Sequence, residues 1–173
     1  MQKLLLHICC APCSASTVEM LRSDFDISFY WYNPNIWDAQ EYDKRKESAA
    51  RFAAELGVPF FEEEDFAYDY ATWKEKSSEL CENCYKIRLE KAAAYAKKNN
   101  FDAFSTSLLS SPYQKHELVK KISEELSASY GVDFVYKDFR PKYYEGKNSL
   151  RLKGYYLQKY CGCEKSYKER FKL

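Results

Sequence analysis

No run in this 173-residue chain is long and apolar enough for a signal peptide or a membrane-spanning helix; even the strand-like stretch from Leu4 to Cys10 is too short. Glycine and proline are scarce, five of each, and there is no internal repeat and no low-complexity linker, which excludes repeat arrays and loosely tethered modules. Histidine is nearly absent: only His7 and His116 can assist a metal site. The start at Met1, with no apolar leader, makes a cytoplasmic protein without a membrane partner the expectation. In that compartment thiols stay reduced and static disulfides are rare.

What the chain has instead is cysteine, seven residues in three tight groups: Cys9, Cys10 and Cys13 as CCxxC, Cys81 and Cys84 as CxxC, Cys161 and Cys163 as CxC. Grouped sulfurs suggest thiolates brought together around zinc, an iron–sulfur cluster or a redox dithiol, since each works through sulfur. The odd count argues against a purely disulfide-paired scaffold.

The length suits one core, so residues 1–173 are expected to form a single domain. Sixteen tyrosines are many; most suit half-buried positions, and some can stack on bases. The net charge of +1 hides an asymmetry. Residues 140–173 carry ten Lys or Arg against three Glu, a net +7, which leaves −6 on the other 139 residues. Such a basic segment is either a solvated helix or a polyanion-binding surface.

Patterning predicts strands over Lys3–Cys9, Asp26–Tyr32, Val58–Phe61, Asp102–Ser107 and Val132–Tyr136. Helices are predicted over Ser14–Arg22, Trp37–Leu56, Glu82–Lys98 and Tyr113–Tyr130, followed by a helical, basic C-terminal segment over 140–173 that closes the site. Alternation of this kind means an α/β fold: a doubly wound, mostly parallel sheet with helices on both faces. Chemistry in such sheets collects at the carboxyl ends of the strands. Cys9 and Cys10 fall there, Cys13 at the mouth of the next helix and Cys84 in the first turn of another, where helix dipoles favour thiolate. Buried packing is the alternative for CCxxC.

CxxC here lacks the Pro usual in redox dithiols and reads better as half of a metal site. CxC can close a labile disulfide or give ligands to neighbouring metals. Zinc competes, but seven sulfurs exceed the need of one ion, and a four-iron cluster plus a dithiol accounts for them more economically. His7 is expected in the core and His116 on an exposed helix face.

The segments HICCAPCS, FYWYNPNI, EYDKR, CENCYKIRLEKAA, DAFSTSLLSSPYQKHE and YKDFRPKYYEGKNSLRLKGYYLQKYCGC, in this order, together resemble the QueH-type epoxyqueuosine reductases, cobalamin-independent enzymes of queuosine synthesis in tRNA. The resemblance spans His7 to Cys163. It implies a sheet of the adenine-nucleotide hydrolase-like type, with the phosphate loop replaced by Cys9 to Cys13, so ATP binding is not carried over. It further implies a [4Fe-4S] cluster on Cys9, Cys10, Cys81 and Cys84, and a redox-active pair in Cys161 and Cys163. Some members have Asp at the position of Cys13, which suits a ligand to an additional iron or other divalent metal.

The substrate implied is tRNA carrying epoxyqueuosine, reduced with the help of an unidentified electron donor. Tyr113 and Asp138, placed after the fourth and fifth predicted strands, are candidate proton donors. Arg140, Lys142, Lys165, Lys168, Arg170 and Lys172 are candidate tRNA contacts. The competing function class is a zinc-stabilised RNA-binding module without catalysis, built from the same cysteines and the same tail.

Overall fold

Leu4, Leu5 and Leu6 are sealed from solvent in β1 (Gln2–His7), as a continuous apolar run must be when both faces of a parallel strand are covered. The structure, a computed structural model, describes residues 1–173. β2 (Phe25–Trp31) and β4 (Ala103–Thr106) flank β1, while β3 (Phe60–Glu62) and β5 (Asp133–Phe134) form the edges. The order is β3-β2-β1-β4-β5 and every pair is parallel.

Phe29 and Tyr30 are neighbours on β2 and so point to opposite faces. Phe29 packs on Phe52 of α2 (Ala39–Leu56), Tyr30 on Tyr95 of α4 (Cys81–Lys98). α1 (Ala11–Leu21) lies with α2, and α5 (His116–Tyr130) with α4. The doubly wound α/β class expected from the sequence is therefore the observed one. The chain winds outward from β1 to β3, then crosses back to β4 and β5. The connections after β1 and β4 leave in opposite directions and open a crevice at their carboxyl ends.

The predicted core positions of α2 and α4 hold at Tyr42, Ala49, Phe52, Ala53, Leu89, Ala93 and Ala96, all buried. Several boundaries differ. α1 begins at Ala11, with Cys10 as its N-cap and Pro12 in the first turn, where a missing N–H costs nothing. α5 begins at His116 because the N–H groups of Tyr113 and Lys115 are taken by Ser111 Oγ and Tyr85 Oη. β5 stops at Phe134: Val135 still donates to Phe104, but its carbonyl accepts from Ser105 Oγ. The acidic aromatic stretch holds a short helix that the pattern did not show, α3 (Tyr70–Ser77), capped by Asp69.

The C-terminal segment is helical in a 3-10 turn (Arg140–Lys142), in α6 (Tyr143–Leu152) and in α7 (Glu164–Phe171). α6 lies against α1 at Gly146, where a Cβ would sit 2.9 Å from the Ser16 nitrogen. α7 has no buried residue and is held at its edge by Trp37, Tyr70 and Lys74. No helix is long and apolar enough to cross a membrane.

Candidate functional site

β1 ends on His7, whose ring bonds Thr106 Oγ1 (2.9 Å) and the Tyr32 carbonyl (3.3 Å). Burial lowers its pKa to about 3, so it is the neutral core histidine expected. His116 is not the exposed residue expected. As the first residue of α5 it turns inward, is buried, and bonds Tyr136 Oη at 2.9 Å.

After His7 the chain leaves the sheet. The Cys9 N–H donates to Ser107 Oγ (3.1 Å), at the end of the neighbouring strand β4. Cys10 caps α1, its sulfur accepting from the Cys13 N–H at 3.4 Å. One turn of helix thus folds the three sulfurs of CCxxC to within 4.8 Å of one another, all buried.

Their charges show what such a cluster needs. Hydrogen bonds from the Cys10 and Cys13 thiols, with one from Ser107, hold the Cys9 thiol well below its ordinary range. Burial pushes Cys10 well up, and the shared hydrogen bond with Cys10 does the same to Cys13. The expectation that helix dipoles favour thiolate fails for Cys10, Cys13 and Cys84, because desolvation and neighbouring sulfurs outweigh a partial charge, and Cys9 is lowered by hydrogen bonds instead. Three buried, soft sulfur donors within 4.8 Å of one another fit a sulfur-bound metal centre.

The CxxC pair opens α4. Cys81 is exposed at its first residue. Cys84 is half-buried, and burial pushes its thiol up to about 12 while Arg88 pulls it back. Arg88, one helical turn on, is buried whole. Its Nη1 points at Cys84 Sγ (3.7 Å) and its Nη2 donates to Asn33 Oδ1 (2.6 Å). Asn33 in turn donates to the Ile8 carbonyl (2.9 Å), tying this cation to the segment that leads from β1 to Cys9. The Arg88 charge is felt by Cys84, Cys161 and Cys9, one from each cysteine group.

The CxC loop is held by a second buried arginine. Arg45 pairs with Glu41 (2.9 Å) and donates to the carbonyls of Cys161 (2.7 Å) and Tyr160 (2.9 Å). Gly162 sits at φ +139°, and a Cβ there would meet Arg45 Nη1 and Asn35 Nδ2 at 3.1 Å. Glycine is needed twice over, for the backbone and for the space. The two thiols differ in setting. Cys161 faces the Gln114 amide at 3.5 Å, whereas Cys163 caps α7, accepting from the Ser166 N–H at 3.4 Å. All seven cysteines are free thiols.

Beside Cys161 opens a cavity of about 670 Å³, lined among others by Tyr113, Gln114, Tyr143, Lys147, Gln158 and Arg170. Gln158 also reaches Cys13 Sγ at 3.9 Å, so the cavity abuts the CCxxC group as well.

The family profile described as Epoxyqueuosine reductase QueH matches residues 4–169. The chain belongs to the QueH epoxyqueuosine reductase family. Two relatives named Epoxyqueuosine reductase QueH align over nearly all of it. That of Dehalococcoides mccartyi is 38% identical, covering 98% of this chain and 94% of the relative. That of Thermotoga maritima is 35% identical, with 98% and 93% covered. A crystal structure of a predicted subunit of tRNA methyltransferase from Methanocaldococcus jannaschii has a TM-score of 0.54 at 11% identity over 89% of each chain, a likeness of fold alone.

Membership in the QueH family makes the chain an oxidoreductase and sets aside the non-catalytic RNA-binding module. Of the residues expected to donate protons, Asp138 is unsuited. Its carboxylate forms paired bonds with Arg140 at 2.8 Å, which hold its pKa near 2, so it has no proton to give near neutrality. Tyr113 does line the cavity, at its mouth. Among the basic candidates, Arg140 is engaged by Asp138, Lys142 by Glu19 and Lys168 by Glu164, whereas Lys165, Arg170 and Lys172 are exposed without an ion pair.

Arg88, Arg45, Asn33, Gln114 and Gln158, which the structure places beside the cysteine groups, were not among the residues named from the sequence. Arg88 alone carried a signal, being one turn after Cys84 on the face that packs inward.

Proposed function

We propose that this QueH-family chain reduces the epoxide of epoxyqueuosine in tRNA to the cyclopentene of queuosine. Two electrons and two protons are consumed and the oxygen leaves as water. The observation that carries this reading is the convergence of three cysteine groups around Arg88, beside a cavity large enough for a modified base.

Cys9, Cys10, Cys81 and Cys84 would hold the [4Fe-4S] cluster, which when bound supplies electrons singly. Cys13 would be a ligand to an additional iron or other divalent metal. Arg88 holds a fixed positive charge beside this anionic sulfur set. Gln114 and Gln158 orient Cys161 and Cys13 at the cavity floor.

Closure of Cys161 and Cys163 into a disulfide releases two electrons and two protons, matching what the epoxide takes up. An external electron donor then restores the dithiol. To close, Cys163 must give up its cap on α7, so the end of this exposed helix moves with the chemistry.

The test is conversion. Anaerobically purified, iron-loaded protein with a chemical reductant should turn epoxyqueuosine in tRNA into queuosine, read by mass spectrometry of the digested nucleosides. Iron-replete protein that leaves the epoxide intact sinks the proposal.

Cys161→Ser or Cys163→Ser should abolish conversion while keeping most of the visible absorbance of the cluster. If both variants bleach as fully as Cys84→Ala, the pair consists of ligands and not of an electron store.

The basic C-terminus would meet tRNA phosphates in a cytoplasmic setting. Replacing Lys165, Lys168, Arg170 and Lys172 by Ala should weaken tRNA binding and reduce the log–log salt slope by about 2 to 3. An unchanged slope would place the RNA elsewhere.

A further inference from the structure

Two neighbouring aromatic rings, one lining the cavity and one beside it, are exposed to an unusual degree: Tyr113 is 77% and Tyr144 56% accessible. Each has contacts that orient it. Tyr113 stands on a turn closed by Ser111, whose Oγ accepts its N–H at 3.2 Å. Its hydroxyl lies 3.2 Å from that of Tyr144. Tyr144 packs edge-on against Tyr143 at 5.0 Å and 74°, and Tyr143 is itself buried and lines the cavity wall. Two flat apolar faces are therefore offered to solvent side by side, where aromatic rings ordinarily seek cover.

The surroundings specify what covers them. The cavity below runs from Tyr113 to Cys161, and Lys147, Lys159 and Arg170 line it as well. A ligand matching both features has planar π faces joined by anionic links. That describes an unpaired stretch of nucleic acid and not a peptide, whose backbone is uncharged. Single-stranded loops are bound in this way, with splayed bases on aromatic rings and phosphates on Lys and Arg.

We infer that Tyr113 and Tyr144 form a stacking platform for an unpaired base adjacent to the modified nucleotide. The platform holds the loop open while the modified base enters the cavity. This rests on the tRNA reading and deepens it, since it assigns recognition to a neighbouring base. The ring of Tyr113, and not its hydroxyl, is the working part.

The probe is an unmodified anticodon stem-loop RNA, with 2-aminopurine placed in turn on each side of the modification position. Wild-type protein should quench one of the two positions and bind with measurable anisotropy. Tyr113→Ala with Tyr144→Ala should abolish the quenching and weaken binding by about tenfold or more. Tyr113→Phe with Tyr144→Phe should keep the quenching and stay within about twofold, because stacking needs no hydroxyl. Leu152→Ala, at an exposed apolar residue of α6 outside the cavity, should change nothing. Both tyrosines are exposed, so these variants should fold.

Unchanged binding and quenching in the double Ala variant, with wild-type conversion of epoxyqueuosine tRNA intact, would overturn the platform alone. Phe variants as impaired as the Ala variants would also overturn it, by showing that the hydroxyls act. Failure of the wild type to bind the stem-loop at all would remove the platform, and failure to convert tRNA would separately remove the reductase reading.

Discussion

If the proposed ligand set is right, Cys84→Ala, and equally Cys81→Ala, should yield folded protein without the proposed iron–sulfur cluster and with no epoxide reduction above background. The fold does not depend on either side chain. Cys81 is exposed, and the helix they open is anchored by Leu89, Ala92, Ala93 and Ala96, all inaccessible to solvent. The proposed cluster would depend on them, because a cuboidal centre short of one thiolate has an iron open to solvent. Loss of a partner behind a ligand costs roughly 10- to 100-fold in metal affinity or activity, and loss of a ligand costs more. Iron and sulfide assays with the visible spectrum decide the matter. Full iron content in either variant would remove that cysteine from the ligand set.

Arg88→Met should do nearly as much without touching a ligand. Two unit charges at the 3.7 Å between Arg88 Nη1 and Cys84 Sγ interact by about 4 kcal/mol at an effective dielectric of 20. Removing the cation leaves Cys84, Cys161 and Cys9 to ionise without that help. It also leaves Asn33 Oδ1 buried without its charged donor, a loss of about 1.5–3 kcal/mol.

Three changes are expected: lower iron content, a shift of apo-protein thiol alkylation to higher pH, and a more negative midpoint potential for whatever cluster assembles. The potential shift should be on the order of 100 mV, since a lost positive charge disfavours the reduced state. Arg88→Lys keeps the charge but not the two-pronged reach, so it should recover much of the potential and less of the iron. A midpoint potential and alkylation profile in Arg88→Met equal to wild type would show that this cation only packs.

The order of strands and helices was readable from the sequence because local patterns encode it. Leu4 to Leu6 are apolar on both faces, Asn33-Pro34-Asn35 breaks the chain after β2, and Gly57 and Gly131 end α2 and α5 in the left-handed conformation. The spacing of Cys9, Cys10 and Cys13 already implied one site, since a strand end and one helical turn bring such residues together without help from the rest of the chain. The family was readable for the same reason: its motifs are short, and they lie in order.

Boundaries were less readable where a side chain from a distant segment takes a backbone group. Ser105 ends β5 by donating its hydroxyl to the Val135 carbonyl, and Tyr85 delays α5 by taking the Lys115 N–H. His116 belongs to the same class, being polar in sequence yet covered by Tyr136, twenty residues on.

What only the tertiary structure decided is how the three cysteine groups meet and what each thiol becomes there. Sequence spacing says nothing of contacts across a hundred residues. Arg45 holding the carbonyls of Tyr160 and Cys161, and Arg88 placed between Cys84 and Asn33, follow from the doubly wound topology that brings α2, α4 and the C-terminal loop to one crevice. Protonation is likewise a property of the assembled site. Helix position alone pointed to ready thiolates, but desolvation and mutual crowding reverse that at Cys10, Cys13 and Cys84, and only the fold sets how deeply a sulfur is buried and which charges surround it.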